Sequence, residues 1–152
     1  MITPSKLVSP NKGMERDAPQ RRAPHAKAFG DPMTLAFKAQ SVRCTNAIGG
    51  DILQVCFDTM PASCDEEKRD TPYVLISANF EFPGPATIEW HDGTAYDGGG
   101  EMMSLVLRRD GAWMKLDRGL EIEVSFSMGD RRFAQLRSYL TRMLDEGVLA
   151  AT

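Results

Sequence analysis

The side chains that could do chemistry are concentrated in one stretch, residues 89–101, which reads Glu-Trp-His-Asp-Gly-Thr-Ala-Tyr-Asp-Gly-Gly-Gly-Glu. It combines four carboxylates, an imidazole and two large aromatic rings with three consecutive glycines. Side chains of these types serve acid–base catalysis, metal binding and protein recognition. Because a buried strand does not tolerate so many polar groups, the composition predicts an exposed loop.

Acid–base catalysis at this loop would depend on one histidine, His91. The only other histidine is His25, which lies in a proline-rich N-terminal region. The chain has no Gly-x-Ser-x-Gly, no His-Glu-x-x-His and no Walker loop. We therefore predict that the protein is not an enzyme. The alternative hypothesis is a small hydrolase or ligand-binding enzyme that uses His91 with Asp92 or Glu89.

The spacing does not favour a metal or a phosphate site either. Calcium loops place oxygen ligands at alternate positions, and counting from Asp92 puts Tyr96 where a ligand is needed. Glycines 98–100 lack the lysine and the strand-to-helix setting of a phosphate-binding loop. The sequence predicts no cofactor and no metal.

Protein recognition suits the stretch better. Tyrosine and tryptophan dominate the binding energy of many interfaces, and glycines let a partner approach the backbone closely. Carboxylates would contact lysines or arginines of the partner. The competing interpretation is an ordinary connecting loop with Trp90 turned into the core. The predicted partner-binding residues are Glu89, His91, Asp92, Tyr96, Asp97 and Glu101.

The rest of the chain must position these residues, and its composition predicts one folded domain. The chain has 152 residues, of which 42% are hydrophobic and 26% charged. The predicted organisation is a disordered, proline-rich, basic tail (1–33), a domain (34–147) and a short C-terminal tail (148–152). Residues 34–152 carry 18 acidic against 12 basic side chains. Such a charge disfavours nucleic acid and favours a basic protein partner.

The sequence also contains no apolar run long enough for a membrane-spanning helix and no signal-peptide core. We therefore expect a cytoplasmic protein with no membrane partner. The three cysteines, Cys44, Cys56 and Cys64, are odd in number and contain no Cys-x-x-Cys pair. Neither a disulfide framework nor a zinc site is expected.

Alternating apolar residues predict strands before and after the stretch. The dipeptide Asp110-Gly111 is typical of a two-residue hairpin loop, which would pair Leu107 with Met114. A three-residue loop at 117–119 would then place Met114 opposite Ile122. The strands predicted ahead of this meander lie at 34–43, 51–58, 73–80 and 87–90.

A helix is predicted from Asp130, because apolar residues recur at helical spacing and Gly147 ends the run. Those apolar residues are Phe133, Leu136, Leu140 and Met143. The order of elements predicts an α+β fold: an antiparallel sheet (meander) with one C-terminal amphipathic helix packed on it, preceded by the disordered tail.

Several short segments of the chain together match the pattern of a known family. They are 73–76, 88–90 with Asp92, 96–99, the alternating Met103, Leu105 and Leu107, and the strand from Leu120. Through these segments, residues 35–145 resemble the immunity protein 10 family of bacterial polymorphic-toxin systems. The resemblance implies a non-enzymatic protein that binds and neutralises a cognate protein toxin. We expect a monomer or a small homo-oligomer. A structural or oligomerising domain is a third hypothesis.

Overall fold

The computed structural model describes residues 33–61, 71–82, 84–94 and 97–152, so most of the predicted tail lies outside the described residues. The described residues form nine strands, one α-helix and two single-turn 3-10 helices at Ile48–Gly50 and Asp117–Gly119. The strands are β1 (Thr34–Lys38), β2 (Ser41–Ala47), β3 (Ile52–Asp58), β4 (Tyr73–Asn79), β5 (Thr87–His91), β6 (Asp97–Arg108), β7 (Gly111–Leu116), β8 (Glu121–Ser125) and β9 (Leu149–Ala151), and the helix is α1 (Asp130–Met143).

Strands β2 to β8 form a meander in which each strand pairs antiparallel with the next. This arrangement confirms the antiparallel sheet expected from the sequence. Two parallel pairings were not expected: β1 lies beside β8, and β9 lies beside β6. Residues 149–151, assigned to a short C-terminal tail, therefore form a strand.

The first strand, β1, connects the two ends of the sheet. It pairs with β8 at one end of the strand order, and only two residues separate it from β2 at the other end. The amide of Ala39 donates to the carbonyl of Ser125, and the amide of Gln40 donates to the carbonyl of Asp58, both at 2.8 Å. At another corner, β6 pairs through its first half with β5 and through its second half with β7. The strands therefore wrap around a single interior.

That interior is one apolar cluster with contributions from β1 to β8 and from α1. Alternation along β3 turns Leu53, Val55 and Phe57 inward, as predicted, and all three are fully buried. The ring of Phe57 stacks on Phe126, with 5.8 Å between centroids. This contact joins β3 to the residue that follows β8 across the core.

The hairpin between β6 and β7 differs from the prediction. Its loop is Arg109-Asp110, and Leu107 pairs with Ala112 instead of Met114. The reason lies at Gly111, where a Cβ would come within 2.9 Å of the Val124 carbonyl oxygen. The glycine is needed inside the strand, where the backbone of β8 approaches, and not in the turn. The register of β7 against β6 therefore differs from the predicted one by two residues, an even number, so the apolar side chains stay on one face.

A bulge at Met102/Ser104 in β6 changes a second expectation. Met102 is buried and Met103 is exposed, so Met103 does not continue the inward alternation of Leu105 and Leu107. An extra residue in one strand reverses the side-chain alternation beyond it. The turn from β7 to β8 is as predicted, with Met114 opposite Ile122.

The helix also follows the prediction. It begins at Asp130 and buries Leu136, Leu140 and Met143 against the core, where it contacts β2, β3 and β9. It ends at Met143, four residues before the predicted stop at Gly147. In the part of the chain that is described, no helix has both the length and the apolar character required to cross a membrane.

Candidate functional site

Residues 89–101 form a β-hairpin and not the continuous loop that their composition suggested. Glu89 and His91 belong to β5, and the three glycines and Glu101 belong to β6. Only residues 92–96 connect the two strands. The prediction of a loop is wrong for residues 89–91 and 97–101, which pair as strands. Glycines suit this part of β6 because neighbouring groups occupy the space that a side chain would need at two of them.

The glycines leave room for neighbouring side chains. Gly98 lies opposite Trp90, and a Cβ at Gly98 would come within 2.7 Å of indole atom Cζ2. A Cβ at Gly100 would come within 2.6 Å of Asp117 Oδ1. Trp90 is only 4% exposed, so it is turned into the core, as the competing interpretation proposed. The glycine run therefore serves packing inside the sheet.

The opposite face of the hairpin, which points away from the core, carries the candidate site. Its central feature is a stack of Tyr73 on His91, which are direct partners across β4 and β5. The ring centroids are 5.9 Å apart and the ring planes differ by 3°. The Tyr73 hydroxyl donates to Glu89 Oε1 at 2.6 Å. The hydrogen bond and the stack hold the Glu89 carboxylate and the imidazole in fixed positions.

Tyr73 was not among the predicted site residues. Its sequence signal was its position in β4, two residues before Leu75, on the face that points away from the core. That signal becomes informative only once β4 is known to pair with β5, because the register brings Tyr73 to His91 and Leu75 to Glu89.

The hydrogen bonds of His91 and Asp92 stabilise the turn between the strands. His91 Nδ1 accepts the Gly93 amide at 2.9 Å. In the neutral ring, the proton is therefore on Nε2. Asp92 Oδ1 accepts the amide and the hydroxyl of Thr94, both at 2.8 Å, as in an Asx turn.

The remaining predicted residues are placed as follows. Asp97 is the first residue of β6, and its backbone pairs with His91. Glu101 is exposed and lies opposite Thr87, and its amide donates to Asp117 Oδ1 at 2.8 Å. Tyr96 and the side chain of Asp97 lie outside the described residues. Glu89, His91 and Glu101 alternate in phase, so they share the outward face, which we call the acidic face.

Asp58, on β3, is a buried carboxylate beside this face. It lies opposite Tyr73 in the register. Its Oδ1 accepts the amide of Met60 at 2.9 Å, and its Oδ2 is 3.6 Å from Arg43 Nη2. These bonds compensate for burying the carboxylate. Asp58 therefore supports the end of β3 rather than the binding surface.

Among the surface cavities formed by described residues, four of the best defined are not lined by His91. The largest of the four, about 550 Å³, follows the outer side of α1. Within the described ranges, no cluster of three or more His, Cys, Asp and Glu residues is arranged to hold a metal ion.

The half-buried thiol of Cys44 gives a pH-dependent prediction. Burial raises its pKa to about 11, although the nearby Arg132 guanidinium acts in the opposite direction. Because the thiolate is the reactive form, iodoacetamide labelling of Cys44 in the folded protein should keep accelerating from pH 9 to about pH 11. Peptide mass spectrometry measures this rate, with the urea-unfolded protein as control. A rate that levels off near pH 9 in both samples would contradict the shift.

No protein-family model matches this chain, and no curated protein or solved structure matches it at a significant level. The function must therefore be derived from the chain's own residues.

Proposed function

We propose that this protein is a cytoplasmic bacterial immunity protein that binds and neutralises a basic cognate toxin through the acidic face. The observation that supports the proposal best is the hydrogen bond from the Tyr73 hydroxyl to Glu89, which orients an exposed carboxylate. Gly99 lies opposite Glu89 on β6 and has no side chain, so a partner can approach this carboxylate closely. Catalysis is not part of the proposal.

Preorganisation is the first support for this proposal. A long side chain loses rotamer freedom when a partner immobilises it, which costs about 0.5–1.5 kcal/mol. The hydroxyl of Tyr73 already restrains Glu89, and Tyr73 is itself buried and stacked on His91. The loss of side-chain entropy at Glu89 on binding a partner is therefore smaller.

Charge is the second support. The region 34–152 carries six more acidic than basic side chains, which attracts a basic partner over distance and accelerates association. Glu89 and Glu101 are exposed on adjacent strands of the same face. Toxins that act on nucleic acids are expected to be basic, so an acidic face could cover the surface with which such a toxin binds its substrate.

The alternative, a hydrolase that uses His91, has less support from the hydrogen bonds. Nδ1 of the ring accepts a backbone amide, the position at which an orienting carboxylate would bind in a catalytic triad. Of the two carboxylates considered, Glu89 accepts from Tyr73 and Asp92 accepts from Thr94. These contacts are typical of a rigid hairpin surface.

Charge reversal tests the proposal. Glu89→Lys with Glu101→Lys should weaken binding to the toxin encoded beside this protein by at least about 100-fold, because like charges placed together across an interface cost several kcal/mol. Affinity is measured by isothermal titration calorimetry with purified toxin, and protection by growth of cells that express the toxin.

The matched control carries the same charge change elsewhere. Asp145 and Glu146 are exposed residues just after α1, and Asp145→Lys with Glu146→Lys should leave affinity within a few fold of wild type. Thermal unfolding of both double variants verifies the fold. Equal affinity in the two variants, or a neighbouring gene with no toxin activity, would refute the proposal.

A further inference from the structure

The unpaired edge of strand β2 lies outside the acidic face, the surface that we propose for toxin binding. Among the described strands, β2 pairs only with β3 and ends the strand order. The amide of Thr59 donates to Pro72 and the amide of Phe80 donates to Asp51, so odd-numbered positions on β3 bond to β4. In an antiparallel ladder, the even-numbered positions then bond to β2. In the β2–β3 register, this turns the backbone groups of Val42, Cys44 and Asn46 away from β3.

One of these outward groups is bonded to a side chain. Arg132, at the start of α1, donates from Nη2 to the carbonyl of Val42 at 3.0 Å. Within the described residues, no hydrogen bond is found from the outward backbone groups of Cys44 and Asn46. Asn46 is exposed and Cys44 is half-buried, so this part of the edge is accessible. Unpaired backbone groups in a row are a template for an added strand.

A cavity of about 250 Å³ lies between this edge and α1. Its apolar lining includes Val42, Cys44 and Met128, and its polar lining includes Arg43, Arg132 and Gln135. The volume is below the ~300–1,000 Å³ typical of small-molecule pockets, and suits a side chain of a peptide better than a free metabolite. Arg43 is 3.6 Å from the Asp58 carboxylate, so the positive charge that the cavity offers to a ligand comes from the exposed Arg132.

We propose that an extended acidic peptide of a partner protein binds along β2 as an additional strand, with side chains that reach the cavity between β2 and α1. The peptide backbone pairs with the amides and carbonyls of Cys44 and Asn46. Apolar side chains of the peptide pack on Val42 and Met128, and a carboxylate bonds to the guanidinium of Arg132. This is strand addition to an exposed sheet edge, in which backbone bonds provide affinity and side-chain contacts provide specificity.

The site is separate from the acidic face. Strands β3 and β4 lie between β2 and β5, and the two surfaces have opposite charge preferences. A basic partner at the acidic face and an acidic peptide at β2 can therefore be tested independently.

The probe is the peptide acetyl-Glu-Val-Glu-Val-Glu-amide, titrated into the full-length protein and followed by amide NMR. The amides of Cys44 and Asn46 should shift and become protected from hydrogen exchange. Iodoacetamide labelling of Cys44 should slow in the same samples. Measured at these two amides, the matched peptide acetyl-Lys-Val-Lys-Val-Lys-amide should bind at least about tenfold more weakly, because its charge is repelled by Arg132.

Two variants test the two halves of the contact. Arg132→Glu should weaken binding of the acidic peptide by about tenfold or more. Arg142→Glu makes the same charge change about 15 Å farther along α1 and should alter affinity by less than about twofold. Asn46→Pro removes one outward amide without removing a bond to β3, and should also weaken binding several fold.

Peptide binding that leaves Cys44 and Asn46 unshifted, or equal effects of Arg132→Glu and Arg142→Glu, would overturn the proposal. Shifts of these amides that depend on protein concentration alone would also overturn it, because they would show that two copies pair through β2. Loss of toxin neutralisation has no bearing on this result, since that readout reports on the acidic face.

Discussion

Replacing Phe57 with alanine should lower the free energy of unfolding by about 3–5 kcal/mol, the range for removing a buried aromatic side chain. Phe57 has no exposed surface and stacks on Phe126 at 5.8 Å. It extends from β3 toward Phe126 at the end of β8, so its removal leaves a cavity between these two strands. Strand β3 is hydrogen-bonded to β2 on one side and to β4 on the other, so its backbone cannot move fully into that cavity.

Urea unfolding followed by circular dichroism measures this loss. Phe82→Ala is the matched control, because Phe82 is 69% exposed and the same side-chain atoms are removed. The control should change stability by no more than about 0.5 kcal/mol. If both variants lose the same stability, the assignment of Phe57 to the centre of the core is wrong.

Introducing a methyl group at Gly98 should destabilise the protein by about 1–3 kcal/mol, the usual cost of overpacking. The new Cβ would lie 2.7 Å from Cζ2 of Trp90, which is itself buried. Either the indole or the backbone of β6 must move. Gly84→Ala is the control, since no atom lies within 4 Å of the added Cβ and the residue does not adopt the positive φ that strains alanine.

A double-mutant cycle identifies the indole as the cause of this cost. Trp90→Phe removes the outer indole ring atoms that the new methyl group would meet. In that background, Gly98→Ala should cost at least about 0.5 kcal/mol less than in the wild type, because neighbours in contact are coupled. Additive losses would mean that Gly98 is required for another reason, such as the backbone conformation of β6.

The acidic face illustrates which candidate site residues can be predicted from the sequence. Glu89, His91 and Glu101 were identified because charged and imidazole groups cluster in a short segment. The sequence does not identify Tyr73 as a site residue, because it is 16 residues from its hydrogen-bond partner Glu89. Only the pairing of β4 with β5 brings these two side chains together. The stack on His91 depends on the same register.

Local patterns were sufficient to predict the alternation of β8, the turn at 117–119 and the start of α1. Each of these depends on residues within a few positions of one another, so spacing alone carries the information. The closure of the sheet, the strand at 149–151 and the glycine hairpin depended on tertiary contacts. The sequence neighbours of Gly111 predict a turn, and those of Gly98 predict a loop. In the structure both glycines lie in strands, where Val124 and Trp90 on adjacent strands approach them closely. A glycine allows either a turn or a close approach, and only the group that lies above it distinguishes the two.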